Sequence, residues 1–162
     1  MSLATQILDL AKQSGIMIAT AESCTGGMVM AALTDIAGSS AVAERGFVTY
    51  TNNAKMQMLG VSGATLDAHG AVSEQVAAEM AKGALRYSEA ALGVSITGIA
   101  GPGGSDHKPE GRVCFGIADN KNCVTETVEF GTVGRSKVRE AARDHALQML
   151  LDRLIQNSSI SR

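Results

Sequence analysis

Residues 21–27 read A-E-S-C-T-G-G, placing hydroxyls and a thiol where the apolar run Met17 to Ala21 gives way to MVMAALTDI. The run is predicted to be a strand and the Ala-rich stretch a helix, so their junction presents free backbone N–H groups and a positive dipole end to a phosphate or a developing oxyanion. Ser23 and Thr25 supply hydroxyls there, and Gly26 and Gly27 let a ligand approach the main chain closely. An isolated motif of this kind commonly does no more than cap a helix. Cys24 is a rival nucleophile in the same place: a thiol beside a helix N-terminus has a lowered pKa, whereas a buried one is only a small hydrophobe.

A second group lies between Ser39 and Lys55, a stretch that supplies Ser39, Ser40, Glu44, Arg45, Tyr50 and Lys55. A serine attacks an amide only when a base takes its proton, and a lysine is that base only if burial or a nearby cation lowers its pKa from about 10.4 towards neutrality. Ser and Lys are chemically sufficient for amide hydrolysis if the fold brings them together. The competing expectation for Lys55 is an ordinary solvated helix residue.

A third group is T-G-I-A-G-P-G-G at residues 97–104, again after a predicted strand. Its spacing is not G-x-G-x-x-G and Pro102 removes a donor, so a dinucleotide fingerprint is rejected. A ligand-wrapping loop carrying Gly98, Ala100, Gly101 and Gly103 remains, against a plain connection. Asp106, Lys108 and Glu110 in the same loop read as solvated. Arg135, Lys137, Arg139 and Arg143 cluster near the start of the last helix; Arg135 is the best placed to grip a phosphate, while Lys137 and Arg139 read as facing water.

The elements that must position these groups follow from periodicity. Residues 3–14 form an amphipathic helix stopped at Gly15. A second strand is expected at Gly46 to Tyr50, then a short helix capped by Asn52 or Asn53 and ended by Gly60, and a longer helix capped by Ser73. Leu92 to Thr97 is a third strand. Arg112 to Ala118 and Cys123 to Phe130 form a hairpin across DNKN, and a helix from Ser136 to Ile155 closes the chain. Helices alternating with strands predict one α/β domain over residues 1–162, with a mixed sheet that includes the C-terminal β-hairpin.

Composition narrows the function. A formal charge of −2 without a long basic run gives no footprint for nucleic acid. No apolar run is long enough for a membrane span or a signal peptide, so a cytoplasmic protein is expected. Cys24, Cys114 and Cys123 are odd in number and lack CxxC spacing, and His69, His107 and His145 stand far apart, so neither a disulfide framework nor a metal site is expected.

The ordered blocks TAESCTGG, LTDIAGSSAVAERGFVTYTNNAK, LGV, HGAVSEQVAAEMAKGAL and SITGIAGPGG…KPEGRV resemble the CinA C-terminal (nicotinamide mononucleotide deamidase) family from about Thr20 to Val113. The resemblance implies a three-layer α/β/α domain that hydrolyses nicotinamide mononucleotide to nicotinate mononucleotide and ammonia, without metal or organic cofactor. It maps catalytic roles onto Ser23 and Lys55, with Ser40, Tyr50 and Thr97 in the same pocket; Ser23 is the expected nucleophile, since its strand-to-helix loop would aim it at substrate beside oxyanion donors, with Ser40 as a polarising or relay hydroxyl and the reverse assignment as the alternative. The amide-bearing mononucleotide is the expected partner, with Thr25, Gly26, Gly27, Arg135 and the Gly98 to Gly103 loop binding it, and a homo-oligomer is allowed. Many members carry a further domain associated with ADP-ribose pyrophosphatase activity before this one, and that activity is expected to be absent here. A nucleotide-binding module without catalysis is the alternative function.

Overall fold

A computed structural model describes residues 1–160, with side chains through residue 158. Helix α1 (Leu3–Ser14) is capped by Ser2, whose hydroxyl accepts from Thr5 N–H, and ends at Gly15 in the left-handed region. Strand β1 (Ile18–Glu22) and helix α2 (Met28–Thr34) follow, and then a single 3₁₀ turn (Ser39–Ala41) leads into β2 (Ala43–Val48). Next come α3 (Asn52–Leu59), α4 (Gly63–His69), α5 (Glu74–Arg86) and β3 (Leu92–Gly98). A hairpin of β4 (Arg112–Ala118) and β5 (Cys123–Glu129) precedes α6 (Arg135–Ile160).

The strands form one sheet in the order β2-β1-β3-β4-β5, parallel among the first three and antiparallel from β3 onward. One face is mostly apolar, with Thr20 and Glu22 of β1 as buried polar residues on it. Ile18, Val94, Ile96 and Phe115 point from it into a core shared with α1, α2 and α6, each such burial worth roughly 1.5–3 kcal/mol. The other face is built from small residues and receives α3, α4 and α5 around Leu59, Val76 and Met80. Gly116 shows why: a Cβ there would lie 2.7 Å from Ala77 O, so a larger residue would push α5 off the sheet. Ser95 Oγ instead donates to that carbonyl at 2.6 Å. The result is an α/β/α arrangement whose parallel strands all point their C-terminal ends the same way.

The bounds of the second strand and the cap of α3 are corrected, and one helix is added. The second strand begins at Ala43 and stops at Val48 rather than spanning Gly46 to Tyr50, because it follows β1 from the Ile18 to Ala43 pairing onward. Tyr50 leaves the sheet as its carbonyl turns to Lys55. The cap of α3 is Thr51, whose hydroxyl accepts from Ala54 N–H at 3.0 Å, not Asn52 or Asn53. Helix α4 was not expected, since seven residues carry too little periodicity to stand out.

Candidate active site

After β1 the chain turns through residues 23–27 into α2. Ser23 N–H donates to Ile96 O at 2.9 Å, and Gly26 N–H donates to Ser23 O at 3.1 Å. The serine is thus tied to the neighbouring strand on one side and to its own turn on the other. Lys55 approaches from α3 and is 1% exposed. Its Nζ lies 3.0 Å from Ser23 Oγ and donates to Thr49 O at 3.0 Å and Tyr50 O at 3.1 Å.

Those partners decide what the amine can do. Carbonyls only accept, so two N–H bonds are committed to them, and a neutral amine keeps its lone pair for the serine hydroxyl. Burial pushes the Lys55 pKa below its ordinary value, and no ion pair among the described residues includes it. The surroundings favour the form that takes a proton from Ser23. The solvated reading of this lysine is removed by the fold.

The rival thiol behaves the other way. Burial pushes Cys24 up to about 11, outweighing any benefit of the adjacent helix end, so the sulfur is a thiol at neutral pH.

Beside Ser23 and Lys55 opens a cavity of about 330 Å³ at the C-terminal ends of the parallel strands. Tyr50, Thr97, Ala100, Gly101, Gly103 and Arg135 all line it, as the sequence reading asked. Thr97 Oγ1 donates to Ala71 O at 2.9 Å, joining the end of β3 to the segment before α5. Arg135, the first residue of α6, spans the mouth: one guanidinium nitrogen donates to Gly101 O at 2.6 Å and another to Tyr50 Oη at 2.9 Å. Gly101 has φ +92° and sits against Glu110, with no room for a Cβ. Gly98 also lines the cavity, but its missing side chain answers to β4, since a Cβ would lie 2.6 Å from Val113.

The fold does not bring four of the expected residues there. Thr25 is fully buried and its hydroxyl donates to Glu22 at 2.7 Å. Gly26 packs towards Arg139, and Gly27 N–H donates to Glu22 at 3.1 Å. The N-terminus of α2 is therefore already occupied: the Glu22 carboxylate also accepts from Val29 and Met30 N–H, so this helix end is not a free anion site. Ser40 is exposed on the 3₁₀ turn that precedes β2, beside the start of β1. It stands at the opposite end of the parallel strands, roughly 17 Å away by the length of a five-residue strand.

Sequence reading missed several residues that build the site. Lys108 is half-buried and lines the cavity, its Nζ donating to His69 O and Val72 O; it is not the solvated side chain expected. Glu110 accepts from Gly103 N–H and shapes the loop from inside. Asn52, considered only as a cap, lines the cavity. Arg139 turns inward and donates to Cys24 O at 3.0 Å; its spacing of four from Arg135, which puts both on one helix face, was the available signal.

Comparison with known proteins gives one consistent family. The CinA C-terminal domain matches residues 1–154. An Escherichia coli K12 protein named nicotinamide-nucleotide amidohydrolase PncC is 50% identical over 159 residues, covering 98% of this chain and 96% of that one. A CinA-like protein of Chloroherpeton thalassium is 55% identical over 119 residues, 73% of this chain but 28% of its own length. Among solved structures, a competence/damage inducible protein of Agrobacterium tumefaciens superposes with a TM-score of 0.90 at 50% identity, covering 93% of this chain and 92% of that chain. A CinA superfamily protein of Klebsiella pneumoniae superposes at 0.91 with 35% identity, covering 95% of this chain and 96% of that chain.

Proposed function

The chain belongs to the CinA C-terminal domain family, and from that premise we propose that it hydrolyses the amide of nicotinamide mononucleotide, releasing ammonia and nicotinate mononucleotide. The observation that carries this reading is the 3.0 Å approach of Lys55 Nζ to Ser23 Oγ, with the amine's other bonds given to two carbonyls.

In the proposed reaction neutral Lys55 takes the Ser23 proton as Oγ bonds to the amide carbon. The resulting ammonium returns that proton to the departing nitrogen, the C–N bond breaks, and an ester to Ser23 remains. Water then attacks the ester with Lys55 again as base, and the carboxylate leaves with Ser23 restored. Thr97, beside the dyad, orients the amide end. At the mouth Arg135 keeps N–H bonds beyond the two given to Tyr50 and Gly101, and with Lys108 it makes that end cationic and suited to the phosphate. Ser40, Thr25, Gly26 and Gly27 have no direct part in this scheme.

The test is ammonia release from nicotinamide mononucleotide by the purified protein. Release that disappears in Ser23→Ala supports the reading. Tight nucleotide binding with no ammonia from the unaltered protein overturns it in favour of a binding module.

A further inference from the structure

The turn carrying Ser23 is gripped by two charges of opposite sign that the reaction scheme does not use. Glu22 is 1% exposed, and its carboxylate accepts from the Thr25 hydroxyl at 2.7 Å and from the N–H groups of Gly27, Val29 and Met30 at 3.0–3.1 Å. Three of those bonds converge on Oε1 and one falls on Oε2. They fix the far end of the turn to the start of α2.

Arg139 supplies the opposite grip. Its Nε donates to Cys24 O at 3.0 Å and a terminal nitrogen reaches Thr25 O at 3.5 Å. Neither Glu22 nor Arg139 belongs to an ion pair among the described residues, so both charges are committed to this short segment. Gly26 adds a constraint: at φ +59°, a Cβ there would lie 3.4 Å from the Arg139 guanidinium. The peptide plane is rigid, so directing the Cys24 carbonyl towards Arg139 also sets the opposite direction of the Thr25 N–H.

We infer that Glu22 and Arg139 form a two-sided clamp on residues 23–27, and that Arg139 is a positioning residue that holds Ser23 Oγ against Lys55. The inference rests on the proposed role of Ser23 as nucleophile. Arg139 is not itself among the cavity-lining residues, and its hydrogen bonds go to Cys24 O and Thr25 O rather than to Lys55, so it acts through the main chain that carries the serine. Arg135 and Arg139 thereby divide the work of one helix face, the first at the cavity mouth and the second under the nucleophile turn.

The clamp makes a kinetic claim, because reacting groups displaced by about 1 Å lose on the order of 10²-fold in rate while substrate contacts elsewhere persist. Phenylmethylsulfonyl fluoride is a suitable probe: Ser23 Oγ bonds to sulfur, the S–F bond breaks, fluoride leaves and the serine proton passes to Lys55. Intact-mass and peptide measurements then report the site and rate of labelling.

For Arg139→Met we expect labelling and kcat to fall by ~10²-fold with KM held within about threefold. The pH midpoint of labelling should stay at the unaltered protein's value, because Lys55 keeps its surroundings. Arg139→Lys, retaining the charge and one donor, should fall between Met and the unaltered protein. A structural role alone would lower the labelled fraction through misfolding and leave the rate of the folded fraction unchanged, which overturns the inference. Wild-type rates in Arg139→Met overturn it as well. If Arg139→Met fails to fold, Arg139→Lys carries the test: slower labelling supports the clamp and unchanged labelling removes it. Failure of the unaltered protein to label at Ser23 is a separate result, which removes the nucleophile reading and the clamp's purpose with it.

Discussion

Lys55 Nζ stands 3.0 Å from Ser23 Oγ although 32 residues separate them in the chain. The contact joins the end of β1 to the first turn of α3, and it exists because Thr51 starts that helix where Lys55 must point back under the strand ends. Thr49 O and Tyr50 O then hold the nitrogen still.

If that contact is one catalytic unit, removing either member disables the same step. Ser23→Ala, Lys55→Ala and the double variant should each lose ~10³-fold or more in kcat, to similar extents and without multiplying. Lys55→Arg should be inactive too, since a guanidinium with a pKa above about 12 is no base. The measurement is kcat for the four variants after circular dichroism confirms folding. Near wild-type turnover in Lys55→Arg would remove the dyad.

The depressed Lys55 pKa gives a signed pH dependence. Activity should rise through a single ionisation whose midpoint lies below the ordinary 10.5. Stability follows the same group: between the folded and unfolded pKa values the unfolded chain holds the extra proton, so raising the pH favours the folded state. Below the folded pKa the burial penalty is fully present; it declines as the pH rises from the folded pKa and is gone above the unfolded value of 10.5. The Tm of the unaltered protein relative to Lys55→Met should therefore increase with pH. A difference that is flat from neutral to alkaline pH would show that Lys55 is not perturbed.

Cys24 should be dispensable for chemistry. Its thiol is pushed up to about 11 by burial, so Cys24→Ala should keep turnover within a few-fold, with a stability loss on the order of 1 kcal/mol from the small cavity left behind. Complete loss of activity in a folded Cys24→Ala protein would transfer the nucleophile from the hydroxyl to the sulfur.

Arg135 should act on substrate capture more than on bond breaking. Arg135→Ala removes the bridge between Tyr50 and Gly101 and a guanidinium suited to phosphate. KM for nicotinamide mononucleotide should rise at least tenfold with a smaller change in kcat, and nicotinamide riboside should be little affected by the substitution. Equal losses for riboside and mononucleotide would take the phosphate away from Arg135.

Much of the fold was legible because local rules and tertiary packing agree. Ser2 and Gly15 bracket α1, Ser73 caps α5 through Val76 N–H, and the alternation in Arg112–Ala118 and Cys123–Glu129 produces the hairpin. Buried strand runs bounded by turn residues fixed the α/β class, and the order of motifs along Thr20 to Val113 pointed to the family. Ser23, Tyr50, Lys55, Thr97 and Arg135 were named from the sequence, and they converge because each lies at or just after a strand's C-terminal end or in the first turn of a helix at that end of the sheet.

What the sequence could not decide was direction and company. Ser23 was the expected nucleophile with Ser40 expected in the same pocket as a relay or rival, and only the path of the chain puts Ser40 at the start of the parallel strands and Ser23 at their end. The helix end after Cys24 looked free for an anion, yet Glu22 folds back seven residues to occupy it. Arg139 and Lys108 read as surface charges because a long side chain gives no sequence signal of the carbonyls it will meet; those carbonyls belong to segments brought near by packing. Local pattern determines which face of an element is apolar, since that depends on neighbours within a turn or a strand. The partners of a charge depend on contacts across the whole chain, and for Ser23 and Lys55 only the tertiary structure supplied them.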